Sequence, residues 1–402
     1  MRDVVFVDFA RTAFGNRGGG LRGFSGVQLA EKCIRGLIKK SEILERGGEH
    51  AIDSIFGGSA FRDKLTHAPI RYLTVSLGLP LDTEGHQVEM QCGSAITSIN
   101  HAAWQIALGY SDVAIAGGYE SHSTRPCFVN CNVEPYKELP IEVLKEHVSP
   151  FPEQDIPMLE ISDNMAELWG ISREQCDEYA LNSQLRLDAA YKSGLSGDEI
   201  VDIVIPATRK TPEIIVNKDE YPKPYSTIEG LSKLRPVNEG GVSTAGNSSG
   251  VNDGAAFVLM MSAEKAEELG YRPYAKWVLG ADIGVEPRLM GIGPAFSNMK
   301  ALRAAGLDIK DIDVWECNEA FAAQNLAVVK EIEKQSGASI DMEKWNPNGG
   351  AIAIGHPNGA SGARIAIFAM KQLERTGGKY GVFSSCCGGG HGTTTIIENL
   401  RR

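Results

Sequence analysis

Ile52-Asp53-Ser54-Ile55-Phe56-Gly57-Gly58-Ser59-Ala60-Phe61 runs in step with Ile312-Asp313-Val314-Trp315-Glu316-Cys317-Asn318-Glu319-Ala320-Phe321. Both stretches open on Ile-Asp, cross a β-rich run and close on Ala-Phe. A second match follows in the same order. The segment from Gly93-Ser94-Ala95 to Ala116-Gly117-Gly118 parallels the one from Gly362-Ala363-Arg364 to Cys387-Gly388-Gly389. Each reads small residues, helix, turn, strand, double glycine. Two matches in register predict a duplicated α/β unit. Apolar runs at 4–8, 52–56, 113–117, 257–261, 314–316 and 381–385 read as strands. Amphipathic runs at 30–40, 96–108, 263–269, 299–305 and 363–373 read as helices, so α/β layers are expected.

Residues 121–249 fit neither copy. They are rich in proline, glutamate and turn residues and hold one long helical pattern at 162–192, with Ser162 as its expected N-cap. This is the pattern of an insertion on the first half. The division expected is a first core half at 1–120, completed by about 250–275, the insertion at 121–249, and a second core half at 276–402. Insertions on a rigid scaffold commonly carry ligand contacts.

With 402 residues the chain is long enough for more than one core. A formal charge of −11 argues against a nucleic-acid surface, whose footprint is basic. A small anionic ligand needs only a local patch, and Arg209-Lys210, Lys218, Lys223, Lys233 and Arg235 offer one. The start lacks a secretory pattern, no apolar run is long enough to span a bilayer, and Asn399-Leu400-Arg401-Arg402 carries no peroxisomal or lipidation signal. Eight cysteines are few for a disulfide scaffold of this length, so reduced thiols and a cytoplasmic location are expected.

Three motif matches lack their context. Gly18-Gly19-Gly20-Leu21-Arg22-Gly23 has dinucleotide spacing but lies well past the preceding strand. Gly246-Asn247-Ser248-Ser249-Gly250 has nucleophile-elbow spacing but follows a poor strand. Cys127 and Cys131 lack a second ligand pair, so no metal is expected. The thiols carry more. Cys33, Cys176 and Cys317 read as small buried apolar residues. Cys92, in Met90-Gln91-Cys92-Gly93-Ser94-Ala95-Ile96, opens a helix, where unpaired N–H groups and the helix dipole favour thiolate; a depressed pKa is expected. Downstream stand Asn318, then His356 in the glycine-rich stretch 349–362, then Cys386 before Gly388-Gly389-Gly390. A Cys/Asn/His/Cys set, each beside small residues, points to covalent thiol catalysis with a separate acid–base thiol.

These blocks, with Arg11-Thr12-Ala13-Phe14-Gly15 and residues 244–255, resemble the thiolase family over essentially the whole chain. That family comprises the acetyl-CoA acetyltransferases and 3-ketoacyl-CoA thiolases. The resemblance implies a duplicated α/β core of layered mixed sheets with buried central helices, and a CoA-facing inserted loop domain. It implies thiolytic cleavage of 3-ketoacyl-CoA, or the reverse condensation of acetyl-CoA, through an acylated Cys92. His356 would take the Cys92 proton and hold a thioester oxygen. Asn318 would position a water for the same oxyanion hole, Cys386 would move the α-proton, and the Cys92 and Gly388 amides would form the other oxyanion hole. Ser249, Pro157, Met158 and Lys223 would meet the pantetheine, acyl or CoA portions. CoA thioesters are substrates, no cofactor is implied, and a homodimer or homotetramer is expected. The same fold class holds 3-ketoacyl-carrier-protein synthases, which have one active cysteine, and non-catalytic acyl-CoA- or lipid-binding relatives; the second thiol and the intact set favour the thiolase reading. Glu89, Ala95, Tyr119, Pro157 and His391 depart from the usual family residues. All five lie outside the catalytic positions and bear on acyl-chain preference.

Overall fold

The computed structural model describes residues 1–130, 136, 140–209 and 211–402. Its main elements are β1 (Val4–Thr12), α1 (Gly26–Ser41), β2 (Ser54–Gly58), β3 (Glu84–Val88), α2 (Ser94–Leu108) and β4 (Val113–Ser121). Then come α3 (Met158–Trp169), α4 (Arg173–Lys192), β5 (Asn252–Ser262), β6 (Ala275–Gly284), α5 (Gly293–Ala305), β7 (Ile312–Cys317), α6 (Ala322–Ser336), α7 (Asn358–Thr376), β8 (Tyr380–Cys387) and β9 (His391–Asn399).

Strand pairing repeats between the halves. β2 lies parallel to β4, β4 antiparallel to β5, and β5 antiparallel to β1. In the same way β7 lies parallel to β8, β8 antiparallel to β9, and β9 antiparallel to β6. The two half-sheets join where Val4, Val5 and Phe6 of β1 pair with Trp277, Lys276 and Ala275 of β6. The order is therefore β7-β8-β9-β6-β1-β5-β4-β2-β3.

Side-chain alternation along these strands builds the layers. On β5, Ala256, Val258 and Met260 face a central core, whereas Phe257, Leu259 and Met261 face an outer one. With both faces covered, the strand reads as one continuous apolar run. The central core takes in α2, α7 and strands of both half-sheets, through residues such as Ile99, Ile106, Ile365, Phe368 and Phe383. α1 covers the first half-sheet from outside, and α5 and α6 cover the second. The expected layers with two buried central helices are thus present.

The central helices cross closely. Gly362 of α7 faces α2 so tightly that a Cβ there would lie 2.8 Å from the Ile96 nitrogen and 3.2 Å from the Ala95 Cβ. Ala95 is fully buried in this contact and faces helix packing.

The insertion departs from its sequence reading. The single helix expected at 162–192 is two helices. Gly170, with φ 58°, ends α3, and Ser172 starts α4 by a capping box with Gln175. Ser162 is an interior residue of α3 and caps nothing. Glycine followed by Ser-x-x-Gln is a stop and a start in succession, and the apolar periodicity runs through both. Arg11 anchors the insertion to the core. Its buried guanidinium donates to both oxygens of Asp219, at 2.7 and 2.8 Å, and to Glu199 at 3.3 Å.

Because Ile96 offers backbone at the crossing, Gly362→Ala cannot be absorbed by a rotamer change alone. Overpacking of this kind costs about 1–3 kcal/mol. A denaturation midpoint lowered at unchanged m-value is expected, and chemical denaturation followed by circular dichroism measures it.

Candidate active site

Cys92 lies in the single 3₁₀ turn Gln91–Gly93 that leads into α2. Gln91 just before it is held at φ 49°, in the left-handed region, and the Glu89 carboxylate accepts from the Gln91 backbone N at 2.8 Å and side-chain Nε2 at 2.9 Å. Glu89 thus braces the bend that presents the thiol. His356 sits just before α7. Its backbone N donates to Asn252 Oδ1 at 3.0 Å, and its Nδ1 lies 2.6 Å from Ser361 Oγ. Ser361 Oγ in turn donates to the Pro357 carbonyl at 3.1 Å, so it accepts from Nδ1–H. That leaves Nε2 as the lone-pair nitrogen, facing the Asn318 Nδ2 donor at 3.4 Å.

Asn318 is fixed by backbone on both sides. Its N donates to the Ser384 carbonyl at 2.9 Å, and its carbonyl accepts from Asn325 Nδ2 at 3.1 Å. Its own Oδ1 is buried without a protein donor, in keeping with an acceptor reserved for a water or substrate. The following turn is anchored by the buried Glu319, which accepts from Ser183 Oγ at 2.6 Å and from Tyr179, Asn346 and the Ile352 amide. The loop 244–252 stitches these pieces together. The Ser249 amide donates to the Ala320 carbonyl at 3.0 Å and the Ala322 amide to the Asn247 carbonyl at 2.9 Å. Ser248 bridges to Phe321 and Val251 to His356. The GxSxG match is therefore a structural clamp.

A cavity of about 850 Å³ opens onto this set. Cys92, His356, Gly388, Ser249 and Met158 line it, with Leu159, Val148, Met290 and Phe321 giving an apolar wall. Cys386 lies behind the wall, fully buried and within electrostatic range of Cys92.

Residues 4–264 match the thiolase N-terminal domain and residues 271–399 the thiolase C-terminal domain. The chain belongs to the thiolase family. Among curated relatives it is 39% identical over 407 residues to an acetyl-CoA acetyltransferase of Syntrophomonas wolfei, covering 99% of this chain and 100% of that one. It is 38% identical over 409 residues to a beta-ketoadipyl-CoA thiolase of Escherichia coli, covering all of both chains. Among solved structures, the human mitochondrial 3-ketoacyl-CoA thiolase in complex with CoA is similar with a TM-score of 0.88 at 36% identity, over 99% of this chain and 98% of that one.

The electrostatics of this thiolase site correct the sequence reading of Cys92. Its pKa is not depressed. Burial pushes the thiol up to about 11, against a lowering hydrogen bond from Asn358, and the Glu120 and Glu89 carboxylates add to the rise. The helix N-terminus is in place, but desolvation outweighs it. Burial also drives Cys386 well above the ordinary thiol range. His356 is pushed down to about 3, by burial first and then by His122 and Arg364. Both shifts favour the uncharged forms, a thiol at Cys92 and a neutral imidazole at His356, on the wall of one cavity.

Other expected contacts fall outside the cavity lining. Pro157 is the exposed N-cap residue of α3, and its fixed φ of −59° starts the helix that carries Met158 inward. Lys223 holds its ammonium 4.6 Å from the Tyr221 ring centre, and its backbone N donates to Gln184. Lys233 pairs with Glu229 on the surface. Arg125 and His147, which the sequence reading passed over, do line the cavity. Lys210, and Cys131 of the Cys127/Cys131 pair, lie outside the described residues. Asn358, His122 and Glu120 were also missed. Glu120 is a buried carboxyl pushed up to about 8 by burial, accepting from the Ala60 amide at 2.9 Å and the Gly359 amide at 3.1 Å.

A raised thiol pKa lowers the thiolate fraction at neutral pH. The rate of Cys92 alkylation by iodoacetamide should therefore climb steadily from pH 7 to 9.5, starting below that of a free thiol with pKa about 8.5. A rate flat across pH 5 to 8, the mark of a thiolate–imidazolium pair, would overturn this account.

Proposed function

We propose that this thiolase catalyses CoA-dependent thiolysis of 3-ketoacyl-CoA and the reverse Claisen condensation of acetyl-CoA, through an acyl-Cys92 intermediate. The observation that carries the reading is that Cys92, from the first half of the chain, and His356 and Gly388, from the second, line one largely apolar cavity, with Asn318 against His356 and the buried Cys386 within electrostatic range of Cys92. In thiolysis the Cys92 proton passes to His356 Nε2 and the sulfur attacks the 3-keto carbon. The Cα–Cβ bond breaks, and the acetyl-CoA carbanion takes the Cys386 proton. CoA then attacks the acyl group, giving its thiol proton to Cys386, while Cys92 leaves and recovers its proton from His356. The Cys92 and Gly388 amides serve charge on the attacked carbonyl, and His356 with an Asn318-held water serves the enolate oxygen.

The two neutralised thiols suit this division of labour. A Cys386 with a high pKa retains the proton it must deliver, whereas burial keeps the resting His356 unprotonated and works against the proton transfer from Cys92, so stabilisation of the charge formed there has to come with the bound substrate. The second thiol behind the cavity favours this reading over a carrier-protein synthase, and the complete set favours it over a non-catalytic binding role. CoA thioesters enter as substrates, with Ser249 at the pantetheine arm and the insertion facing CoA. No cofactor takes part. Among the described residues no helix is long and apolar enough to cross a membrane. A cytoplasmic homodimer or homotetramer is the working assembly.

The apolar wall at Met158, Leu159 and Met290 favours acyl chains of four to six carbons or longer, since a buried methylene contributes up to about 0.8 kcal/mol. The ratio kcat/KM across a chain-length series of 3-ketoacyl-CoAs should rise beyond acetoacetyl-CoA; activity confined to acetoacetyl-CoA would refute this. Cys92→Ser should abolish the acetyl adduct seen by mass spectrometry after mixing with acetyl-CoA. Cys386→Ala should keep that adduct yet lose exchange of acetyl-CoA methyl protons with deuterated solvent. Exchange at the wild-type rate would place the base elsewhere.

A further inference from the structure

Two side chains outside that set hold the nucleophile. Asn358 Nδ2 donates to Cys92 Sγ at 3.1 Å, and Asn358 Oδ1 lies 2.6 Å from His122 Nε2. An amide oxygen only accepts, so His122 presents Nε2–H to it. This pins the amide with its NH₂ toward the sulfur. Turned the other way, Asn358 would need His122 to carry its proton on Nδ1 and would set a lone pair against the sulfur, opposing the thiolate.

Three separate segments supply the chain of contacts: the residue just past β4, the first residue of α7 and the turn before α2. Each end is fastened. The neighbouring Ser123 amide donates to Asp253 Oδ1 at 2.9 Å, and the Gly359 amide donates to Glu120 at 3.1 Å. The Phe61 ring meets His122 edge-on with centroids 5.3 Å apart, closing the relay toward the cavity. Built-in fastening of this kind holds a donor in place before any reaction begins.

We propose that Asn358 is a catalytic residue, donating to the Cys92 sulfur to favour its ionised form, and that His122 is a positioning residue that fixes the direction of that amide. A hydrogen bond to an ion is about twice as strong as one between neutral groups. The Asn358 donor therefore gains strength as the sulfur ionises and loses it once the thioester has formed. The interaction is concentrated in the step that needs it. Other groups facing Cys92 work against ionisation: Glu120, Glu89 and burial raise the thiol, and Cys386 and Cys387 lie within electrostatic range. His356 is a neutral acceptor. Around His122, burial with Arg125 and Arg17 lowers its pKa, so the relay works without a charged imidazole.

The inference rests on Cys92 being the acylated nucleophile. That premise is checked first, by the acetyl adduct on the wild-type protein. The relay is then read without turnover, from the pH dependence of Cys92 alkylation between pH 7 and 9.5. Asn358→Leu removes the donor. The line of log rate against pH should shift to higher pH by about one unit, with acetyl-Cys92 formation slowed about 10- to 100-fold. Asn358→Asp, of the same shape but with an acceptor at the sulfur, should shift it further. His122→Phe should reproduce a large part of the Asn358→Leu shift. His122→Gln, which keeps an N–H donor at the same reach, should bring the line back toward wild type. Melting curves identify any variant that has failed to fold. Folded Asn358 variants with an unmoved pH line would overturn the donor role, and equal shifts for His122→Phe and His122→Gln would overturn the relay. A wild-type protein without an acetyl adduct on Cys92 would instead refute the underlying reading of the nucleophile.

Discussion

The close crossing of α2 and α7 is the constraint on which the rest of the molecule depends. Each helix belongs to one copy of the repeat, and each begins at the cavity: α2 just after Cys92, α7 just after His356. Their N-termini reach a common point only because Gly362 and Ala95 let the backbones approach. Once the helices touch there, the strands that flank them are set. Each central helix is covered by strands from both half-sheets, so the layers and the site share one packing solution. A larger residue at the crossing would separate Cys92 from His356 by the same displacement that opened the core.

The site works by exclusion of charge. Burial raises both thiols and lowers His356, so the resting groups are neutral, and hydrogen bonds rather than ion pairs fix their geometry. Buried acids and one buried arginine act as supports. Glu319 and Glu120, each buried, tie down backbone amides, and Arg11 with Asp219 and Glu199 ties the insertion to the core. A removed partner in any of these would leave an uncompensated buried polar group, which is costlier than the pair is stabilising.

Much of this was legible in the sequence because duplication prints itself twice. The repeat at 52–61 and 312–321 falls on β2 and β7, and the second match on α2–β4 and α7–β8. Elements defined by distant partners were harder to see. The strands β6 and β9 were not read, since Ala275–Gly284 lacks clean alternation and His391–Asn399 is threonine-rich. The break at Gly170 was overlooked because the apolar period continues across it. In the site, residues flanked by glycine and small side chains stood out. Asn358 did not, although it lies two residues from His356, because its partners Cys92 and His122 are more than two hundred residues away. The direction of the Cys92 shift was misread for a related reason: a helix terminus can be read locally, whereas burial is a property of the whole fold.

The stitching of the loop at 244–252 to the segments at 318–322 and 356 bears on how this protein is made. Cys92 emerges from the ribosome with the first half, while Asn358, His356, Gly388 and Cys386 are all encoded in the second. Until the second half docks, Cys92 has neither His356 on the facing wall nor the Asn358 hydrogen bond. The cavity around Cys92 is therefore complete only when both halves of the chain have come together.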